Sequence, residues 1–572
     1  MNLKKLILPS LTALLTIGFG AGLTSCDDPG QNIYKTIEVK DTELVSFLKS
    51  KGYSFDDQGN LILNPLATNT TELDLSGVTV EDFGILRAFP KLTALKLAGG
   101  GYGPAFDVTV LPERITTLDL SGNDIYEFPG LVRVSIAENG EETAETLRAF
   151  DHLTLPASAR FNTLDLPHYA ALNPDMDLQM EDGTGALKPY DTLRAIPDPV
   201  TLGYLQKLFP SLFEGEKIDL SNRIVDAKEA SGAIDFTLLR ALPASLEGIE
   251  YVVMNPSYKG TSLSLQTAEK SQIPYLRPGK LISKIVTKNI DTPHLMLQDA
   301  AGLVLFSAEK NDGLTTLDLS GSEAFGQRGF AQDAFSMSAP AYLGLASNPN
   351  LKEIIFPEGA EYLYRLDLSD LPALKALDLS GFKDILSTNL YELSSTAITY
   401  QTFEPGDEEM PRIFTATTDV FDKAETQAFL QAAGDRFKAE RYDENPLKAE
   451  IPTDVPSDGL NGTYRGEAIP TMMNGRPNPR PTAMPCSFSI LDGKLAGVLN
   501  IGPHAFTIES IGEITAPGEH AIRGLFMLGV LPISYTGTIN VTVLDETNLA
   551  FDCVAIFDFF GAETDFTFEG SK

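Results

Sequence analysis

Aspartate recurs in one phrase along this sequence, each time between two apolar residues: Leu73-Asp74-Leu75, Leu118-Asp119-Leu120, Leu164-Asp165-Leu166, Ile218-Asp219-Leu220, Leu317-Asp318-Leu319, Leu366-Asp367-Leu368 and Leu377-Asp378-Leu379. Successive side chains of a strand point to opposite faces, so a strand that turns these leucines inward turns the Asp outward. Stacked strands would set Asp74 beside Asp119, and Asp318 beside Asp378, in rows spaced by about 4.8 Å per strand. Such a row can hold a cationic partner or bridging divalent cations. The plainer expectation is a solvated sheet in which Ser, Thr and Lys96 satisfy the carboxylates, because polar groups on a sheet find hydrogen-bond partners. Asp74, Lys96, Asp119, Asp165, Asp219, Asp318 and Asp378 still form the first candidate interface, on what would be a concave face.

Other chemistry is thinly supplied. The five histidines, His152, His168, His294, His504 and His520, stand in no His-x-His or His-Glu-x-x-His spacing, and no Cys-x-x-Cys occurs. No metal site and no cofactor is therefore expected. Ser46-Phe47-Leu48-Lys49 satisfies Ser-x-x-Lys but lacks a Lys-Thr-Gly partner, and it reads better as part of a helix. Gly-x-Ser-x-Gly and a phosphate-cradling Gly-Lys-Ser/Thr loop are absent. Carboxylate pairs of the glycosidase kind are not decided by motif, since their geometry is not written in the sequence. Binding rather than catalysis is the expectation.

The chain around these residues has 572 positions, 43% hydrophobic and 21% charged, a balance that predicts several folded domains. Its 78 acidic and 44 basic residues give a formal charge of -34, a field that repels nucleic acid and attracts cations or basic partners. The N-terminus reads as an address. Lys4 and Lys5 precede the apolar run Leu6 to Gly22, and Leu23-Thr24-Ser25-Cys26 closes it. The tetrapeptide resembles a lipobox, which implies removal of residues 1–25 and acylation of Cys26, and so attachment to a membrane by lipid. Asp27-Asp28 resembles the export signal of Bacteroidetes-type surface lipoproteins, although in enterobacterial sorting an Asp here would favour retention at the inner membrane.

Repetition organises the middle of the chain. Leu73 to Leu95 is 22 residues, Leu95 to Leu118 is 23, and Leu118 to Leu164 is 46. Ile115-xx-Leu118-x-Leu120-xx-Asn123-x-Ile125 resembles the leucine-rich-repeat consensus. Leu351-xx-Ile354-x-Phe356 and Leu374-xx-Leu377-x-Leu379, with Leu366-Asp367-Leu368 halfway between, are similar to BspA-like repeats with a strand on each side of the coil. The resemblance implies an α/β leucine-rich-repeat solenoid over 67–416, its backs closed by segments such as Ile85–Phe89 and Leu238–Leu242, with irregular coils around 185–300. A tether and cap fill 26–66: a helix over Leu44–Gly52, then a turn over Ser54–Leu61 that resembles half an EF-hand but lacks its bidentate Glu. A capping helix is placed at 417–441 and a linker at 442–459.

From Leu460 the alternation is that of strands, as in Cys486-Ser487-Phe488-Ser489-Ile490 and Gly537-Thr538-Ile539-Asn540-Val541. Leu460-Asn461-Gly462-Thr463-Tyr464-Arg465-Gly466, Phe506–Ile514 and Phe568-Glu569-Gly570-Ser571-Lys572 are similar to calycin-like (lipocalin-like) domains, which implies an all-β barrel or sandwich over 460–572. Phe526, Leu528, Phe557 and Phe559 could line a small apolar site there, against the plainer expectation of core. Cys486 and Cys553 could close this domain by a disulfide or remain two buried thiols. The expectation is a lipid-anchored outer-membrane protein, displayed at the cell surface, that binds a protein or other envelope or host macromolecule. A carrier of a small apolar molecule and an accessory subunit of an uptake complex are the alternatives.

Overall fold

The computed structural model describes residues 34–137, 141–236, 243, 245–327, 341–402, 412–445, 455–473, 475–501, 504–528, 531–557 and 563–572. Cys26, Asp27, Asp28 and the Leu238–Leu242 back lie outside them. The chain divides into two compact units, residues 1–101 with 110–119, and residues 102–109 with 120–572.

In the first unit, helix α1 (Thr42–Ser50) starts where Asp41 accepts hydrogen bonds from the Glu43 and Leu44 N–H groups at 2.9 and 3.1 Å. Leu44 and Leu48, one turn apart, form its buried stripe. The turn that follows closes on itself: Asp56 accepts from the Gln58 and Asn60 N–H groups and from Asn60 Nδ2, at 2.8–2.9 Å. The Asn60 side chain, together with the backbone donors, holds the Asp56 carboxyl below its ordinary range. Strands β1 (Glu72–Asp74), β2 (Ala94–Lys96) and β3 (Thr117–Asp119) then pair in parallel, with Leu73, Leu95 and Leu118 opposite one another and buried.

The expected α/β leucine-rich-repeat solenoid is not what the chain builds. Strand outweighs helix by about 40% to 16%, the strands fall into many small sheets, and the described residues show no helix–strand solenoid. The reason lies in the backs of the coils. Between β1 and β2 the chain turns through the 3-10 segment Phe83–Ala88, and between β2 and β3 through Val108–Val110, too short for helices. Later intervals spend their residues on a second short strand instead, as with Ala376–Asp378, which pairs in parallel with Ala397–Thr399. Two of the expected strands are also displaced. Leu164-Asp165-Leu166 opens helix α2 (Asp165–Leu172), and Ile218-Asp219 sits in the middle strand of a three-stranded antiparallel sheet, Leu193–Ala195, Lys217–Asp219 and Phe213–Glu214.

One sheet of the second unit has nine strands in sequence order, all parallel: β4 (Ile234–Asp235), β5 (Ser262–Gln272), β6 (Lys284–Asp291), β7 (Leu305–Glu309), β8 (Ala341–Ala346), β9 (Tyr362–Ser369), β10 (Asp384–Tyr391), β11 (Arg412–Thr417) and β12 (Phe437–Tyr442). Leu263, Ile285, Phe306, Leu343 and Leu366 face one another across five of these strands and are at most 1% exposed. Every residue of β10 is buried, so the sheet is covered on both faces at this strand, as parallel sheets are. The segment expected as a capping helix divides into Thr418–Phe421, helix α3 (Ala424–Ala433) and the edge strand β12.

The C-terminal part forms an eight-stranded antiparallel barrel, so of the two expected forms the closed one is built. Its strands are β13 (Gly462–Met473), β14 (Met484–Leu491), β15 (Lys494–Ile501), β16 (His504–Ser510), β17 (Gly518–Leu528), β18 (Leu531–Leu544), β19 (Asn548–Phe557) and β20 (Glu563–Ser571), and β13 closes the ring on β20. Gly466 stands opposite Gly570 at this seam, where a Cβ on Gly466 would lie 1.9 Å from the Glu569 carbonyl oxygen. The interior is packed: Phe488 meets Phe551 and Phe568 with ring centres 5.1 and 4.7 Å away.

Candidate binding cleft

The aspartates of the repeated phrase mostly serve their own turns. Asp74 accepts from the Ser76 N–H and hydroxyl at 3.0 and 2.6 Å, and the Ser76 hydroxyl holds its carboxyl below the ordinary range. Asp219 accepts from Ser221 in the same way at 2.9 and 2.7 Å, and Asp318 and Asp378 accept the N–H of Ser320 and Ser380 at 2.9 Å. The Ser two residues on is therefore the partner, in an Asx-type turn. The rows are also not runs of like charge. Asp74 and Asp119 flank Lys96, whose ammonium lies 2.8 Å from Glu72 Oε1, and Glu72 raises the Lys96 pKa. Asp318 stands opposite Ile355, and Asp378 opposite Thr399, so these two carboxylates are not neighbours.

Asp165 departs from the pattern. It begins α2, with Pro167 where the other copies have Ser, and burial pushes its carboxyl up. Arg277 and Glu127 act on it electrostatically. Glu127 is held by the Tyr275 hydroxyl and Arg277, and Arg277 also pairs with Asp299 at 2.6 Å. On the same helix His168 lies 3.1 Å from Glu142, which Arg223 grips through two hydrogen bonds at 2.6 and 2.8 Å. The Glu142–Arg223 and Glu127–Arg277 contacts tie segments 81 and 150 residues apart, a bracing role.

A concave site that the sequence did not announce lies in the second unit, a cavity of about 470 Å³. The sheet supplies one wall. Glu392 follows β10 and its N–H donates to Thr417 Oγ1 at 2.7 Å, at the end of β11. Asp419 stands in the helical turn after it, and Asp443 and Glu444 follow β12. Asn445, 6% exposed, bridges Ser369 Oγ at 2.7 Å and Glu392 Oε2 at 3.0 Å. The barrel supplies the other wall through Glu509 on β16 and Arg523 on β17, register partners joined by an ion pair of 3.3 Å. The Arg523 guanidinium also sits 5.3 Å above the centre of the Tyr442 ring. Among the described residues the lining thus sets five carboxylates against one guanidinium. No spacing rule predicts residues gathered from positions 392 to 523. The one local signal was Tyr442-Asp443-Glu444, acidic residues at the start of a segment read as linker.

The remaining candidates fall elsewhere. Cys486 and Cys553 are free thiols on strands β14 and β19, which are not neighbours, and burial pushes the Cys486 thiol up to about 11. Phe526 packs on Phe506 with ring centres 4.4 Å apart, while the side chains of Leu528, Phe557 and Phe559 lie outside the described residues. Among the described residues no three His, Cys, Asp or Glu side chains are placed to share a metal ion, and no helix is long and apolar enough to cross a membrane. Comparison with protein-family models, with curated proteins and with solved structures finds no match to this chain.

Proposed function

We propose that the protein is an exported, lipid-anchored binding protein whose partner is another macromolecule rather than a nucleic acid. The observation that carries this reading is the cleft, a concavity of about 470 Å³ lined by polar and charged side chains from the sheet's end and the barrel. The lipobox-like Leu23-Thr24-Ser25-Cys26 and the acidic Asp27-Asp28 support an anchor at the outer membrane with the folded parts displayed outward. The carrier reading is less well supported, since the barrel interior is occupied by its own side chains: Tyr464, Phe488, Phe551, Phe566 and Phe568 are each at most 1% exposed.

Protease treatment of intact cells tests the outward display. Wild type is expected to be shaved, and a variant with Asp27→Ala and Asp28→Ala to be protected until cells are lysed. Protection of the wild type on intact cells would remove an external partner and leave a periplasmic role.

A further inference from the structure

The hairpin of Val132–Ile136 and Glu142–Thr146 pairs with no further strand among the described residues, and a two-stranded hairpin is marginally stable by itself in water. Its register puts Val134, Ile136, Glu142, Ala144 and Thr146 on one face, and Arg133 with Glu145, which pair with each other, on the opposite face. The first face packs on α2 and is tied to that helix at two places. At the base, where the Leu147 N–H donates to the Leu131 carbonyl at 3.0 Å, Asn173 Nδ2 donates to Thr146 Oγ1 at 3.0 Å. At the turn end, Glu142 lies 3.1 Å from His168. The base tie contains no group that titrates; the other one does.

His168 is set between two acceptors. Its Nδ1 lies 2.8 Å from the Leu164 carbonyl oxygen and its Nε2 lies 3.1 Å from Glu142 Oε2. A carbonyl and a carboxylate only accept, so both contacts are hydrogen bonds when both ring nitrogens carry a proton, and one of them turns lone pair against lone pair when either proton leaves. The carboxylate stays ionised, because Arg223 grips it at 2.6 and 2.8 Å and holds it below the usual carboxylate range. Asp165, on the same helix, also interacts with the ring electrostatically.

We propose that this hairpin is a strap, hinged at its base and latched at Glu142 by the second proton of His168. The latched form binds one proton more than the loosened form, so rising pH through the range in which an imidazole ordinarily discharges, about 6.5, frees the turn end. Arg223 keeps its hold on Glu142 throughout, and Asn173 keeps the base, so the strap loosens without detaching.

Hydrogen exchange of the full chain, read by mass spectrometry and corrected for the intrinsic pH dependence of amide exchange, tests this. Between about pH 5.5 and 8.5, protection of the two hairpin strands is expected to fall by about tenfold, the scale of one charge-assisted hydrogen bond, while the barrel strand β19 stays level. His168→Gln is expected to show the low protection at every pH. Level protection in wild type, or an equal fall in wild type and His168→Gln, overturns the proposal. Should His168→Gln fail to fold, Glu142→Gln carries the same comparison: a level profile is expected, and a fall as steep as that of wild type overturns the latch.

Discussion

The phrase Leu-Asp-Leu-Ser occurs at 73–76 and again at 366–369, and its two aspartates have opposite surroundings. Asp74 ends a three-residue strand, is exposed, and takes its hydrogen bonds from the Ser76 turn. Asp367 lies inside the eight-residue strand β9, is 4% exposed, and takes its bonds from other positions. Arg365 Nε donates to both its oxygens at 2.8 and 2.7 Å, Tyr342 Oη donates at 3.0 Å, and Asn389 Nδ2 reaches it from β10. Gly344 stands opposite Asp367, and a Cβ there would meet the Tyr342 hydroxyl at 2.3 Å. What separates the two copies is whether the strand stops. Where it turns, Ser at the second position after Asp satisfies the carboxylate locally; where it runs on through Ser369, the carboxylate must find partners across the sheet.

The largest effect expected from this contrast is at Asp367. Asp367→Ala strands the buried Arg365, 7% exposed, without its counter-ion, and breaking such a pair costs on the order of 3–5 kcal/mol. A urea titration followed by circular dichroism should show an early loss of structure. Replacing both partners, Arg365→Met with Asp367→Leu, should recover part of that loss, because no lone buried charge remains. A double variant as damaged as the single one would mean that the polar ladder itself, rather than the unpaired cation, holds β9 in place.

A buried carboxylate without such a cation sharpens the comparison, and Glu250 is one. It is 0% exposed in the helix Ile249–Val253, its Oε2 accepts from the Gly248 N–H at 3.1 Å, and its Oε1 has no hydrogen-bond partner among the described residues. Burial pushes its pKa up to about 8; Glu247 adds to the rise, and Arg160, which pairs with Glu247 at 3.1 Å, opposes it. The folded chain therefore keeps a proton that the unfolded chain releases near its ordinary 4.5. Between those values the folded state binds more protons, so stability falls as pH rises, by up to about 1.4 kcal/mol per pH unit from this group. Glu250→Gln should flatten the pH dependence of the thermal midpoint over that window, and raise the midpoint most near pH 8. An unchanged pH profile would show that Glu250 is ionised and solvated.

Much of the strand pattern could be read in advance, because Leu-x-Leu alternation has a fixed physical meaning: Leu73, Leu95 and Leu118 do share a register, and the C-terminal alternation does close into a barrel. The α/β expectation failed where the sequence between strands holds only 3-10 turns or second strands, since a repeat length does not say what fills it. Leu164-Asp165-Leu166 departs from the strand copies in its follower, Pro167 in place of Ser. Pro167, His168, Tyr169, Ala170 and Ala171 suit a first helical turn and its continuation, whereas the strand copies carry Ser. The cleft is not legible in this way, as its lining residues are drawn from positions 392 to 523 and come together only in the folded chain.

The smallest effect is expected at the other member of the pair. Asp74→Ala removes two hydrogen bonds from an exposed turn, and water replaces both, so the loss should stay under about 1 kcal/mol. Its sign with pH is opposite to that of Glu250. The Asp74 carboxyl is held below its ordinary 3.8, so its contribution is full above that value and disappears as acid titrates the folded group. At neutral pH, Asp74→Ala should therefore lower the thermal midpoint slightly, and the gap to wild type should close on acidification. Ser76→Ala should reproduce part of the loss, because the Ser76 hydroxyl is the first cause of the depressed carboxyl. A loss at Asp74 as large as that at Asp367 would mean that its neighbour Lys96, rather than Ser76, is the partner that matters, and that the exposed ladder is held by charge across strands.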